Sequence, residues 1–213
     1  EWGVDVAVTG SQKGFMLPAG LAIVALSDKA RRASESAGLH RAFFDIRDMQ
    51  QGYARNGYPY TPPLGLMNGL KLATEMLLRE GLENVFLRHR RIASGVRAAV
   101  AAWGLSLSAR SPDLWSDTVS AIGTPEGFDA TTIVTHAASK YGVAFGVGLG
   151  EVAGKVFRIG HLGSMTDVMA LSGIATAEMA MVDLGLPVRL GSGVAAAQQV
   201  YRESKVNTRK AAA

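Results

Sequence analysis

The chain has 213 residues, of which 48% are hydrophobic and 19% charged, and its formal net charge is +4. That length holds one large domain or two small ones and can bury a sizeable core. The basic residues Arg88, Arg90 and Arg91, beside His89 on one helix, and Lys205, Arg209 and Lys210 in the tail have no aromatics between them, so both groups read as solvated faces and no nucleic-acid partner is expected.

The absence of cysteine excludes disulfides and thiolate metal sites, and it permits a reducing, cytoplasmic setting. No apolar run approaches the roughly 20 residues of a membrane span. A soluble protein with no membrane partner and no bound metal is expected.

In chain order, Val4, Val6 and Val8 alternate with smaller or polar residues and predict a short buried strand ending at Gly10. Gly10, Ser11, Gln12, Lys13 and Gly14 then form a tight polar turn, and Leu21 to Leu26 predict a second buried strand. Lys13 is thus bracketed by two strands. Two readings fit it: a loop lysine pointing into water, or a lysine partly withdrawn from water, its amine pKa lowered, that forms an imine with a carbonyl cofactor. Ser27 is suited to cap a helix running to about Gly38. His40 to Gly57 read as irregular, with a short helix over Asp45 to Tyr53.

Gly57, Pro59, Pro62 and Pro63 stiffen the loop that carries Tyr58, Tyr60 and Thr61 to the start of a helix with Leu66, Leu70, Ala73 and Leu77 on one stripe. Hydroxyls at a helix start suit a phosphate, and they equally suit a plain capped helix with core tyrosines. From Gly81 to Trp103 a long amphipathic helix is predicted, with Val85, Ile92, Val96, Val100 and Trp103 on its apolar side and Gly104 as its stop. Strands near Thr118 to Ile122 and Val143 to Val147, with a helix over Asp129 to Tyr141 between them, point to a small α/β domain with a partly antiparallel sheet.

Lys155 to Ile159 read as a strand carrying Arg158, which either snorkels to solvent or clamps a substrate carboxylate with its planar fork. His161 is given a structural role. Ser164 and Asp167 form a capping-box pair for a buried helix ending at Leu184. Ala211 to Ala213 look unstructured. The chain opens on Glu1, directly before a strand whose hydrogen-bonding groups would lie bare, so a sizeable upstream part is expected.

The run VAVTGSQKGFMLPAGLAIV (Val6 to Val24) resembles the cofactor-lysine segment of the class V pyridoxal-phosphate aminotransferases, in particular the serine–glyoxylate and aspartate–glyoxylate group. NGYPYTPP (Asn56 to Pro63), EGLENVFLRH (Glu80 to His89), AGKVFRIGHLG (Ala153 to Gly163) and LGSGVAAA (Leu190 to Ala197) are similar to the same family, in the same order.

The resemblance implies an α/β chain of the fold type I PLP-dependent transferases: residues 1–80 as the end of a large, mostly parallel-sheet domain, 81–204 as a smaller C-terminal α/β domain, and 205–213 as a tail. It implies pyridoxal 5'-phosphate as cofactor, with Lys13 as Schiff-base lysine and proton shuttle and Gln12 as a phosphate contact. Tyr58 and Thr61, or Tyr60 in place of Tyr58, would reach the phosphate of the neighbouring subunit in a homodimer with shared sites. Arg158 would hold the α-carboxylate of the amino or oxo acid.

The activity implied is amino transfer from serine, aspartate or alanine to glyoxylate in a ping-pong cycle. The family's ring-nitrogen carboxylate, ring-stacking residue and glycine-rich phosphate turn lie upstream of the lysine, and Asp5 is too close to Lys13 to replace the first. A lyase of the same fold, or an inert binding or assembly module, are the competing readings. The lack of cysteine disfavours desulfuration.

Overall fold

The computed structural model describes residues 2–204, which divide between Met76 and Leu77 into two units. In the first unit, β1 (Val6–Gly10) pairs antiparallel with β2 (Ala22–Leu26), with Val6 opposite Leu26 and Gly10 opposite Ala22. Both strands stand where the sequence places them, but they are not buried: Val6, Val8 and Val24 are 46%, 68% and 49% exposed. Alternation marks a face fit for burial, whereas burial itself needs a covering layer, and among the described residues these two strands form a ribbon of their own.

The hydroxyl of Ser27 accepts the Ala30 N–H at 3.1 Å and starts α1 (Asp28–Glu35), which stops at Ser36, before Gly38. Asp5 accepts hydrogen bonds from Ser27 Oγ at 2.7 Å and Lys29 Nζ at 2.8 Å, so the approach to β1 is tied to the start of α1. The Asp5 carboxylate is therefore committed to Ser27 and Lys29.

The short helix is α2 (Ile46–Ala54), capped by Asp45, whose carboxylate takes the Arg47 N–H at 2.9 Å and pairs with Arg47 and Arg41 at 3.0 Å. The Arg47 hydrogen bonds hold the Asp45 carboxyl down at about 2. In α3 (Leu64–Glu80) the expected stripe faces inward, with Ala73 buried and Leu66, Leu70 and Leu77 half-buried.

The second unit is organised by α4 (Leu82–Ala102), whose stripe of Val85, Ile92, Val96 and Val100 is buried together with Trp103 at its C-cap. Gly104 closes the helix at φ +70°, a conformation that suits glycine. Around it lie β3 (Ser106–Leu107), β4 (Val119–Gly123), α5 (Thr131–Tyr141), β5 (Gly146–Val147), β6 (Val156–Gly160), α6 (Asp167–Asp183) and α7 (Ser192–Glu203). The sheet order is β3-β4-β6-β5, and every pairing in it is antiparallel. One face presents Ser120, Ile122, Phe157 and Ile159 to a core shared with Ile133, Ile174, Met181 and Ala197.

Three expectations change here. Of the basic cluster only Arg90 is solvated, its side chain 69% exposed, whereas Arg88, Arg91 and His89 are 8%, 9% and 7% exposed. Burial of such polar and charged side chains is tolerable only with partners, and each has them. Arg88 forks onto Glu80 at 2.6 and 2.9 Å and donates to the Gly163 carbonyl at 2.6 Å. Arg91 pairs with Asp167 and donates to the Tyr201 carbonyl at 2.8 Å. His89 Nε2 accepts the Gly163 N–H at 3.0 Å, which leaves the proton on Nδ1 to reach the Val85 carbonyl at 2.7 Å.

The second change is at α6, where Thr166, not Ser164, caps the helix by accepting the Met169 N–H at 3.3 Å. The third is α7, which the small residues after Leu190 had left unassigned. The tail beyond 204, including Ala211 to Ala213, lies outside the described residues. No helix among the described residues is long and apolar enough to cross a membrane.

Candidate functional site

Ser11 organises the turn that carries Lys13. It is fully buried, and its hydroxyl donates to the Pro18 carbonyl at 2.7 Å and accepts the Leu21 N–H at 3.2 Å. Its backbone adds Ser11 N–H to Leu21 carbonyl at 2.9 Å and Leu17 N–H to Ser11 carbonyl at 3.0 Å. All four polar positions of one residue thus hold the two ends of the loop together, and Lys13 N–H closes the turn onto the Gly10 carbonyl at 3.0 Å. Met16 adopts φ +59°, a left-handed conformation costing a bulky residue on the order of 1–3 kcal/mol, which the surrounding bonds over-determine. Leu17 packs over the bare Cα of Gly69 on α3, which further steadies the loop.

Lys13 is exposed, not partly withdrawn from water as the second reading supposed, because the two flanking strands are themselves uncovered. Lys13 lines an open hollow of about 560 Å³ together with Thr9, Gly10, Gln12, Gly20 and the start of β2. Gln12 folds back over Gly10, where an added Cβ would fall 2.5 Å from the amide oxygen. An amine, an amide and a hydroxyl, with no carboxylate in the lining, fit the charge of a phosphate-bearing aldehyde.

Tyr58 is 52% exposed and Thr61 is exposed; both belong to the first unit, and neither lines the hollow. Tyr60 instead packs its ring against Phe43, with centroids 4.4 Å apart. Asn56, which opens this loop, also takes a positive φ of +55°.

Arg158 lies in the second unit, half-buried in β6 on the sheet face opposite the core. Arg88, Arg91 and Arg97 all have carboxylate partners. Arg158 has none among the described residues, and its Nε donates to the Val147 carbonyl at 2.8 Å. A strand guanidinium held by one edge, with the other edge uncommitted, can fork onto a carboxylate.

His161, three residues on, is 1% exposed. Its Nδ1–H donates to the Asp117 carbonyl at 3.1 Å, and Nε2 accepts the Ser120 hydroxyl at 3.0 Å. Its role is to brace the segment after β6. Burial pushes its pKa down to about 4, helped by the nearby cation of Arg97. The unfolded chain therefore binds more protons between pH 4 and 6.5, so this contribution to stability is complete above about pH 6.5 and is lost as pH falls towards 4. Denaturant titrations at pH 7 and pH 5 should show His161→Asn losing roughly one proton of pH dependence relative to the parent chain. Equal slopes for the two would count against a neutral, buried imidazole.

Sequence reasoning missed Ser11 and the Arg88–His89 clamp on Gly163. A serine immediately after a strand-ending glycine was the available signal for the first. For the second there was none, since the partners are 75 and 74 residues apart.

No protein-family model matches the chain. It is 71% identical, over all of its 213 residues, to an L-aspartate–glyoxylate aminotransferase of Paracoccus denitrificans, of which it covers 54%. It is 51% identical, again over its whole length, to a serine–glyoxylate aminotransferase of Hyphomicrobium methylovorum, covering 53% of that protein. Among solved structures, ureidoglycine–glyoxylate aminotransferase from Bacillus subtilis superimposes with a TM-score of 0.88 at 24% identity, over 95% of this chain and 53% of that one. The chain spans about half the length of these relatives.

Proposed function

We propose, for a chain homologous throughout its length to the class V aminotransferases, that the intact protein moves an amino group from a small amino acid, serine or aspartate, to glyoxylate and so makes glycine. The observation that carries this is Lys13 itself: a lysine on a rigidly tied turn, at an acid-free hollow, in a chain whose near relatives are named for that transfer. Pyridoxal 5'-phosphate is the cofactor assigned to it, and when bound it supplies the electron sink that lets a substrate α-carbon give up its proton.

Lys13 Nζ would hold the cofactor covalently, be released by the incoming amine, and then accept and return the α-proton. The same amine serves both halves of a ping-pong cycle. Gln12 would contact the phosphate from this subunit. Tyr58 and Thr61 would do so across a homodimer with shared sites, Tyr58 being favoured over Tyr60 because the latter's ring is already engaged with Phe43. Arg158 would orient the amino acid and the oxo acid through their common carboxylate.

In this reading residues 1–80 are the remainder of a large cofactor domain, 81–204 form a small domain, 205–213 are a tail, and the protein works in the cytoplasm. The test is a donor screen on the intact protein, with serine, aspartate and alanine against glyoxylate and glycine as the measured product. Glycine from serine or aspartate is expected; none from any donor would overturn the substrate class.

A further inference from the structure

Arg158 is flanked in the sheet by two very small residues, Ala121 on β4 and Gly146 on β5. Its guanidinium lies across the bare Cα of Gly146: a Cβ built there would fall 3.1 Å from Nε, 3.2 Å from the Arg158 Cβ and 3.4 Å from Nη2. The next residue, Val147, supplies the carbonyl that Nε–H reaches at 2.8 Å. Gly146 is not among the glycines at positive φ, so its backbone would accept any residue, and what the position requires is space. Gly148, two places on, differs: a Cβ there would strike the Val152 carbonyl at 2.1 Å, a clash with the chain's own turn.

We infer that Gly146 is a positioning residue, whose missing side chain and following carbonyl set the plane of the Arg158 guanidinium so that its two terminal nitrogens face a substrate carboxylate as a pair. The inference rests on the carboxylate role proposed for Arg158. A side chain at 146 pushes the guanidinium off the β5 backbone, weakens the Nε bond and tilts the fork. A point charge survives this, but paired recognition does not.

The probe is propionate, which carries the carboxylate and neither an amino nor an oxo group, with propionamide as its uncharged counterpart. Both are titrated into the intact protein and followed by NMR. The parent protein is expected to prefer propionate. Gly146→Val should raise the propionate dissociation constant about tenfold and Gly146→Ala about threefold, on the scale expected when a paired contact is misplaced by a fraction of an ångström. The melting temperature of the alanine variant should be unchanged, and propionamide should bind all forms alike.

Arg158→Gln should abolish the preference. If it does while both Gly146 variants bind propionate as the parent does, the inference falls and the carboxylate role stands. If Arg158→Gln binds propionate like the parent, the carboxylate role falls, and the inference with it. Should the valine variant fail to fold, the alanine variant decides.

Discussion

Lys13→Ala is expected to cut glycine formation by the intact protein at least about 10²–10⁴-fold, the range lost with a positioned acid–base group, while leaving its melting temperature unchanged. The two halves of this expectation come from different observations. Activity falls because one amine is assigned both to hold the cofactor and to move the α-proton. Stability holds because the side chain is exposed, and the turn is closed by main-chain bonds of residues 10, 11, 13, 16 and 17 and by the Ser11 hydroxyl. Lys13→Arg should be equally inactive, since a guanidinium keeps the charge but gives up no proton near neutral pH. Rate assays paired with thermal melts decide it. An alanine variant that retained even a tenth of the parent rate would remove the lysine from its assigned role.

Glu178→Ala is expected to destabilise the second unit severely, by on the order of 3–5 kcal/mol. Glu178 is 1% exposed, and its carboxylate accepts the Trp103 indole N–H at 2.9 Å and the Gly191 N–H at 2.9 Å, and it caps the start of α7 through Gly193 N–H at 2.5 Å. An acidic group at the amino end of a helix is favoured by the aligned peptide dipoles. Truncation leaves three donors without a partner in a closed interior. It also opens a void beside Trp103, whose indole already leaves no room for a Cβ on Gly193. Glu178→Gln should cost less than the alanine change, because it keeps one acceptor oxygen and turns an amide towards the remaining N–H groups. Urea titrations of the purified variants measure both, and a loss under about 1 kcal/mol for the alanine variant would contradict the capping role.

What could be seen in the amino-acid order divides along physical lines. The long helix α4 was legible because five apolar residues recur at helical spacing and all five are buried; α2 falls on the short span expected for it, and its Asp45 cap is what the structure adds. The α/β class followed from elements of this kind. The polar interior was not legible. Arg88, Arg91 and Glu178 are charged residues whose burial depends on partners far away in the chain, and no local period encodes that. The valines of β1 and β2 show the reverse limit: their alternation is real, but whether such a face is covered depends on what lies above it.

For the candidate site, the residue types at 13, 58, 61 and 158 left a plain structural reading open beside the chemical one, and the roles given to them and to Gln12 came from the family resemblance. The structure adds the surroundings: the Ser11 hub beneath Lys13, the aromatic neighbour that occupies Tyr60, and an arginine in β6 with no carboxylate partner among the described residues. None of these surroundings has a signature in spacing alone.

Adjacent residues of α4 hold both backbone polar groups of Gly163, Arg88 its carbonyl and His89 its N–H. A glycine has the lowest barriers to crankshaft rotation in any chain, yet this one has no polar atom left with which to turn. The segment after Arg158 is therefore fastened at its far end to the long helix α4, and the strand that carries the guanidinium is tied beyond its last residue as well as along its two neighbours.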